Sequence, residues 1–287
     1  MRERLPKLYG LLDPCRLCPR RCGVHRTSGE LGECGMGGEL MVSSVGLHFG
    51  EESPISGHRG SGTIFLSGCN LHCVFCQNWT ISQLAEGERV TVAELAEAML
   101  GLERSGAHNI NWVSPTHMVP MLMEAFCLAG EHGLSIPLVY NSGGYDSLEV
   151  LKLLDGMVDV YMPDMKYGDA AVARRLSGVE DYPAHNQAAI REMYRQVEPL
   201  QLDASGVAVC GLLIRHLVLP ENQAGSEAVF TFLDEELPGP VDVNVMAQYH
   251  PCHLAWEHPE LERCPSRDEF QAALRLARSK SSIRIVD

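Results

Sequence analysis

The chain has 287 residues and a formal net charge of −14 at pH 7, and 45% of its residues are hydrophobic. This apolar fraction excludes wholesale disorder, and the length fits one large α/β barrel or two ordinary domains. So acidic a chain is poorly suited to bind a nucleic-acid backbone. No apolar run is long enough to cross a bilayer, and the first residues do not form a signal peptide. We therefore expect a cytoplasmic protein.

The eleven cysteines are the most unusual feature of the composition. An odd number in a chain without an export signal favours metal-binding or catalytic thiols over disulfides. Seven of them form two tight groups, Cys15, Cys18, Cys22 and Cys34 near the start and Cys69, Cys73 and Cys76 further on. Both groups predict metal sites. Cys127 and Cys210 lie on apolar segments and are predicted to be core thiols.

The first 60 residues are rich in Gly, Cys and Arg, and we expect them to be irregular and held by cross-links. From residue 63 onward, short β-type runs alternate with helical patterns. The predicted strands are 63–67, 109–114, 137–141, 158–162, 212–219 and 241–246. The predicted helices are 91–104, which opens with a capping-box pattern, 117–132, 147–154, 185–197, 226–236 and 265–279. Residues 200–203 and 206–210 are predicted to form a small hairpin, and 282–286 a short terminal strand.

Six strands that are each followed by a helix predict right-handed βα units and a parallel sheet, curled into a partial or full barrel. The predicted domains are a cysteine-rich metal-binding segment, 1–60, and a barrel domain, 61–287. In such barrels the chemistry takes place at the carboxyl ends of the strands. The most informative residues of this chain fall at those ends.

The central cysteines follow the first predicted strand with the spacing Cys69-x3-Cys73-x2-Cys76. Three thiolates on one loop suit a [4Fe–4S] cluster that leaves one iron open, whereas a structural zinc ion takes four protein ligands. His72 is a possible fourth zinc ligand, but it stands between two cysteines and is expected to point away. The spacing therefore favours an iron–sulfur cluster.

This motif resembles that of the radical S-adenosylmethionine (SAM) superfamily, and Phe75 before the third cysteine also fits it. Cys-x-Leu-Cys-Pro-Arg at 15–20 and Gly-Ser-Gly-Thr-Ile-Phe at 60–65 resemble, in particular, proteins similar to the pyruvate formate-lyase activating enzyme. The resemblance implies a partial (β/α)6 TIM-like barrel of the radical SAM type. It also implies a [4Fe–4S] cluster on the three central cysteines, with SAM bound at the open iron. One electron from that cluster would cleave SAM to methionine and a 5′-deoxyadenosyl radical, which abstracts hydrogen from a substrate.

The resemblance assigns SAM contacts to residues at the strand ends. Phe75 is expected near the adenine. Asn141 and Ser142 end the third predicted strand, where the activating enzymes hold SAM and a monovalent cation. Without the resemblance, Asn-Ser-Gly-Gly at 141–144 is an ordinary strand-ending turn.

Asp164 and Lys166 end the fourth strand and, two residues apart, point to the same face. The resemblance places this pair at the SAM carboxylate and the cation, and the alternative is a solvated salt bridge. In the fifth strand Arg215 and His216 alternate, so one faces the barrel interior, and Arg215 is assigned to the cofactor. His250, after the sixth strand, is assigned to the SAM ribose or carboxylate.

One departure follows the second strand, where the activating enzymes carry Gly-Gly-Glu-Pro to bind the SAM amino group. This chain has Val-Ser-Pro-Thr-His at 113–117. Ser114 and Thr116 are expected to replace those contacts, and Thr116 is also a candidate helix cap. The departure weakens the expectation of a shared substrate but not that of a shared cofactor.

The four amino-terminal cysteines fit either a closed tetrahedral zinc site or a second Fe–S cluster. Arg16, Arg20 and Arg21 are expected to offset the charge of their thiolates. A further set of possible ligands has no support from the resemblance and is interpreted as an ordinary loop: Cys252, His253, His258 and Cys264.

The sequence thus predicts a radical SAM oxidoreductase. Its substrate, by analogy, is a glycyl-radical enzyme, and its electron donor a flavodoxin- or ferredoxin-like protein. Alternatives are radical modification of another protein, peptide or small molecule, a non-catalytic iron–sulfur protein for electron transfer or redox sensing, and a zinc-bound scaffold. No nucleic acid or membrane is expected as a partner.

Overall fold

The computed structural model describes residues 2–286, and the strands in this range join into one sheet. The strands are β1 (Leu40–His48), β2 (Ser61–Leu66), β3 (Glu88–Val90), β4 (Ile110–Val113), β5 (Leu138–Ser142), β6 (Val160–Pro163), β7 (Gln201–Leu202), β8 (Ala208–Leu217), β9 (Val241–Met246) and β10 (Ile283–Ile285). The α-helices are α1 (Leu5–Tyr9), α2 (Ser53–Ser56), α3 (Trp79–Ser82), α4 (Val92–Arg104), α5 (Val119–Glu131), α6 (Leu148–Leu154), α7 (Ala170–Ser177), α8 (Tyr182–Val197), α9 (Ser226–Glu236) and α10 (Arg267–Ser279).

The sheet confirms the predicted fold class, a mostly parallel sheet of the partial TIM-barrel type. Its order is β10-β9-β8-β6-β5-β4-β2-β1-β3, and the six predicted strands β2, β4, β5, β6, β8 and β9 are neighbours in chain order and parallel. The terminal strand β10 extends this array as a parallel neighbour of β9. At the other side β1 runs antiparallel to β2.

The helices follow local sequence signals. The capping box predicted for α4 is present: the Thr91 hydroxyl accepts the Glu94 N–H, and the Glu94 carboxylate accepts the Thr91 N–H. Leu95 and Met99 of α4 are buried, as the amphipathic pattern requires. The second arm of the predicted hairpin is the start of β8, which β7 joins antiparallel.

The structure differs from the predicted elements at three places. Residues 40–48 are not irregular: they form β1, whose exposed half from Ser44 to Leu47 lacks the alternation that marks a strand with one buried face. Helix α7 was not predicted, although Asp169 caps its start and Gly178 ends it in the left-handed conformation at φ 69°. Helix α8 also begins earlier than predicted, at Tyr182. The domain boundary at residue 60 stays a prediction.

The segment after β1 enters the barrel at the amino ends of the strands. Ile55 of α2 is fully buried and packs in one cluster with Val139 and Leu213. The Asn109 amide donates to the Ile55 carbonyl at 2.8 Å, and the Asn244 amide donates to Glu52 at 2.9 Å. Residues 51–56 therefore close the floor of the barrel. Among residues 2–286, no helix has the length and apolar character to span a membrane.

Candidate active site

A cavity of ≈ 240 Å³ lies at the carboxyl ends of the strands, where barrel chemistry is expected. The three central cysteines line it together with most of the residues assigned to the cofactor from sequence. Those residues are Phe75, Ser114, Asn141, Ser142, Asp164, Lys166 and Arg215. Side chains from the loop after β2 and from the ends of β4, β5, β6 and β8 thus meet in one place.

Each central cysteine has a hydrogen-bonding partner for its sulfur. The partners are the Leu71 N–H, 3.4 Å from Cys69 Sγ, the Ser177 hydroxyl, 3.0 Å from Cys73 Sγ, and the Ser82 hydroxyl, 3.1 Å from Cys76 Sγ. Hydrogen bonds to cysteine sulfur stabilise the thiolate and tune the potential of an iron–sulfur cluster. Ser177 was not foreseen, because it belongs to the unpredicted helix α7.

The thiols fit the cluster that the sequence predicts. Burial raises the pKa of Cys69 to about 12 and also raises the pKa of Cys73, so both thiols are protonated at neutral pH until a metal replaces the proton. In the described part of the chain, no three or more His, Cys, Asp or Glu side chains are positioned to bind a single metal ion together. In a [4Fe–4S] cluster each cysteine binds a different iron.

One part of the cavity wall is a buried ion network. Asp164 Oδ1 accepts Arg215 Nε at 2.9 Å, and Asp164 Oδ2 accepts Lys166 Nζ at 2.5 Å. Arg215 also donates to Asn141 Oδ1 at 2.6 Å. Burial alone would raise the pKa of Asp164, but Arg215 and Lys166 outweigh it and hold that pKa below its ordinary value. The network therefore keeps two cations beside the cavity, suited to a carboxylate ligand.

Glu51 belongs to this network and was missed from the sequence. Its carboxylate rises from the barrel floor and accepts Asn111 Nδ2 at 3.1 Å and Arg215 Nη1 at 3.5 Å. Burial raises its pKa, and Arg215 acts in the opposite direction. No local pattern marks Glu51, because its partners lie in other strands far along the chain.

Two of the other lining residues have distinctive surroundings. The Phe75 ring meets the rings of Tyr249 and Tyr167 edge-on, with centroids 5.8 and 6.3 Å apart. Ser114 adopts the left-handed conformation at φ 59°, and its N–H donates to the Asn141 carbonyl at 2.8 Å. Such strain in a non-glycine residue is typical of functional sites.

Two assigned residues, Thr116 and His250, do not line the cavity. The Thr116 hydroxyl donates to the buried Asp146 carboxylate at 2.6 Å, as does the Ser142 hydroxyl. Thr116 therefore stabilises the ends of the strands. His250 is exposed and lies 3.2 Å from the Gln77 amide, because the loop after β9 turns it towards the surface. His216 faces away from the cavity and packs against Phe230 of α9.

The arginines around the amino-terminal cysteines differ from the expectation. Arg16 and Arg21 are exposed, and Arg20 donates to a backbone carbonyl. The buried cation is Arg26, which is 1% exposed and lowers the pKa of Cys34, although burial raises that pKa overall. In the second possible ligand set, the Cys252 thiol donates to the Phe75 carbonyl at 3.2 Å and Cys264 is exposed.

Comparison with known proteins identifies the family of this chain. The model of the Radical SAM superfamily matches residues 63–197. The uncharacterized protein MJ0674 of Methanocaldococcus jannaschii is 34% identical over 273 residues, which cover 92% of this chain and 74% of that protein. The chain belongs to the radical SAM superfamily. A second relative, the uncharacterized protein MJ0808 of the same organism, is 29% identical over 187 residues, 58% of this chain and 54% of that protein.

Solved structures of radical SAM proteins share the fold. A radical SAM methyltransferase from Sphaerobacter thermophilus superposes with a TM-score of 0.53 and 15% identity, over 78% of this chain and 66% of that one. HydG, a maturase of the [FeFe]-hydrogenase, gives a TM-score of 0.50 and 13% identity, over 78% of this chain and 50% of that one. Identities this low show the fold alone. Membership of the radical SAM superfamily implies a [4Fe–4S] cluster and SAM.

Proposed function

We propose that this protein cleaves SAM reductively at a [4Fe–4S] cluster held by Cys69, Cys73 and Cys76, and then abstracts a hydrogen atom from a substrate. The observation that carries the proposal is the shared cavity, which is lined both by three cysteines whose sulfur atoms have hydrogen-bond partners and by a buried ion network. When bound, the reduced cluster supplies the electron that splits SAM into methionine and a 5′-deoxyadenosyl radical.

The polar wall is proposed to bind the amino-acid end of SAM. Lys166 and Arg215 attract its carboxylate, and Asp164 keeps both cations charged and in place because it accepts a hydrogen bond from each. Asn141 and Ser114 present polar groups between them. Holding the cofactor in one geometry lowers the entropic part of the barrier.

Apolar side chains line another part of the cavity and are proposed to keep water from the reaction. Leu71, Phe75, Val113, Leu217 and Met246 line the cavity. A site with little water protects a reactive intermediate from side reactions.

The first proposed substrate is a glycine of a partner glycyl-radical enzyme. The support is the motif resemblance, together with a cavity rim formed by the exposed residues Gln77, Asn78 and Gln248, which a segment of another chain can reach. Modification of another protein, a peptide or a small molecule by the same chemistry is the second candidate, since the sequence departs from the activating enzymes at 113–117.

The test is SAM cleavage by anaerobically reconstituted protein reduced with dithionite, with 5′-deoxyadenosine measured by chromatography. We expect 5′-deoxyadenosine to form. A fully loaded cluster that never cleaves SAM would overturn the proposal in favour of an electron carrier or redox sensor. With a candidate partner added, one 5′-deoxyadenosine per partner and a persistent protein radical in the EPR spectrum identify glycyl activation, whereas continued turnover without a protein radical identifies the second candidate.

The proposal includes a second metal site on Cys15, Cys18, Cys22 and Cys34. Three of these thiols are buried and Cys22 is half-buried. A Cβ atom added at Gly32 would lie 3.4 Å from the sulfurs of both Cys22 and Cys34, so those two thiols flank one small space. Metal analysis of the purified protein tests this site.

A further inference from the structure

The amino-terminal cysteines lie directly against the loop that carries the central cysteines. The Asn70 side chain, next to Cys69 in sequence, lies near Cys18 and acts to lower the pKa of its thiol, while the Asn70 amide donates to the Tyr145 carbonyl at 2.7 Å. Arg20 Nε donates to the Asn70 carbonyl at 2.6 Å. The backbone of Cys34 also lies against this loop, since a Cβ atom added at Gly68 would lie 2.6 Å from the Cys34 carbonyl oxygen. One buried asparagine thus stands between the two cysteine groups.

The backbone around the amino-terminal group is arranged for thiolates. The backbone of the second residue after the cysteine acts to lower the thiol pKa, against the larger effect of burial, at three positions: Leu17 for Cys15, Arg20 for Cys18 and Met36 for Cys34. In the central group the Leu71 N–H donates to Cys69 Sγ. Such amide donors stabilise negative sulfur and are found around metal–thiolate sites.

A buried cation also points to negative charge at this place. Arg26 donates through Nε to the Gly37 carbonyl at 2.8 Å and through Nη1 to the His117 carbonyl at 2.6 Å, while Nη2 has no hydrogen-bond partner. A guanidinium buried among neutral thiols carries a large desolvation cost. Arg26 acts to lower the pKa of the Cys15 and Cys34 thiols, and thiolates at these two positions would supply the missing counter-charge.

The outer end of the group is open to the surface. Cys22 lines a wide depression of ≈ 680 Å³ between the amino-terminal segment and the loop after α7. Arg20, Glu33 and Tyr145 line it as well. A partner protein can therefore approach the group at Cys22, while Cys18 contacts the central loop on the inside.

We propose that Cys15, Cys18, Cys22 and Cys34 hold an iron–sulfur cluster that relays electrons through Asn70 to the central cluster. One electron enters from a flavodoxin- or ferredoxin-type donor docked at the depression and then passes to the central cluster, so the amino-terminal cluster returns to its oxidised state. No bond forms or breaks and no proton moves in this transfer. The electron acceptor in this inference is the central cluster, so the inference rests on the proposed function. The metal on the amino-terminal cysteines is tested independently.

The metal is tested in a chain without the central cysteines, C69A/C73A/C76A. We expect about four irons per chain to remain, with an EPR signal on reduction that SAM does not change. The added C18A substitution should remove that iron. Zinc in place of iron would overturn the proposal, because zinc has no redox chemistry. The iron content and EPR signal of this variant do not depend on SAM cleavage, so they test the metal independently of the proposed function.

The relay is tested by Asn70→Leu, which keeps every cysteine. Stopped-flow absorbance follows reduction of the central cluster, once by a reduced flavodoxin or ferredoxin and once by dithionite. We expect the rate with the protein donor to fall about 10-fold relative to the dithionite rate. Asn186→Leu is the matched control, since Asn186 is equally buried and bonds the carbonyls of Gly144 and Asp164 instead. It should leave the ratio of the two rates unchanged. An unchanged ratio in Asn70→Leu would overturn the relay.

Discussion

The amino-terminal and the central cysteine groups lie side by side but differ in what faces their sulfur atoms. Both combine buried thiols with amide donors to sulfur. The central group has three cysteines and lines a cavity together with Asp164, Lys166 and Arg215. The amino-terminal group has four and lies against the Arg26 guanidinium. A metal centre on three cysteines can bind a cofactor, whereas one on four is complete.

This difference teaches that thiol chemistry alone does not assign a role. The number of cysteines sets whether a coordination position of the metal centre stays open. The charged residues near the cysteines set which ligand can bind at that position. The central group is therefore the candidate for catalysis, and the amino-terminal group for electron transfer. Four changes separate the two roles.

The largest effect is expected from Cys73→Ala, which removes a ligand of the proposed catalytic cluster. SAM cleavage should fall to background, as measured by 5′-deoxyadenosine formation with dithionite. Cys18→Ala should instead damage mainly the amino-terminal site and its packing. Cys210→Ala, which removes a half-buried thiol in β8, is the control and should retain cleavage. Retained cleavage in the Cys73 variant would refute the cluster assignment.

Asp164→Asn is expected to have the next largest effect, because it removes the carboxylate that the buried cations of Lys166 and Arg215 share. The free energy of unfolding should drop by about 3–5 kcal/mol, measured by urea denaturation. SAM should also bind more weakly in equilibrium dialysis. Glu235→Gln, on the exposed face of α9, should change stability by less than about 0.5 kcal/mol. Equal stability of both variants would contradict the buried network.

Acid is expected to weaken the contact between the two cysteine groups through His117. The His117 ring contacts the Ser67 carbonyl at 2.8 Å, and the His117 carbonyl accepts a hydrogen bond from Arg26. Burial lowers the pKa of His117 to about 4, from 6.5. The unfolded chain binds the proton more readily, so this stabilisation is full above pH 6.5 and is lost as pH falls towards 4. The loss should reach about 3 kcal/mol.

Urea unfolding between pH 7 and pH 4 measures that loss. His117→Gln keeps an amide donor for Ser67 and cannot titrate, so its stability should fall less steeply over this range than that of the wild type. His216, with its pKa also lowered to about 4 by burial, contributes the same slope in both proteins. Parallel curves for the two proteins would show that His117 does not titrate as described.

The smallest effect is expected from Ser177→Ala, which removes the hydroxyl donor to Cys73. Losing a hydrogen bond to sulfur disfavours the more negative, reduced cluster, so its reduction potential should fall by a few tens of millivolts. An EPR redox titration measures the shift. Ser105→Ala, whose hydroxyl bonds the Gly101 carbonyl at the surface, should leave the potential unchanged.

Much of the site could be predicted because its residues follow strands. Asp164 and Lys166 directly follow β6, and Arg215 lies in β8, so the parallel order of the strands brings them to one edge. Thr116 and His250 were assigned by the same logic but lie elsewhere. Thr116 meets the buried acceptor Asp146, and His250 lies in a loop whose path no short-range signal sets.

The sequence by itself determined the order of the six parallel strands, the capping box of α4 and the two cysteine groups, since these depend on neighbours a few residues apart. Only the tertiary structure decided that Glu51 reaches Arg215, 164 positions away, and that Asn70 stands between Cys18 and Cys69. The reason is physical. Periodicity and capping act within one turn or one strand, whereas a buried charge or amide takes whichever partner the packed barrel brings to it.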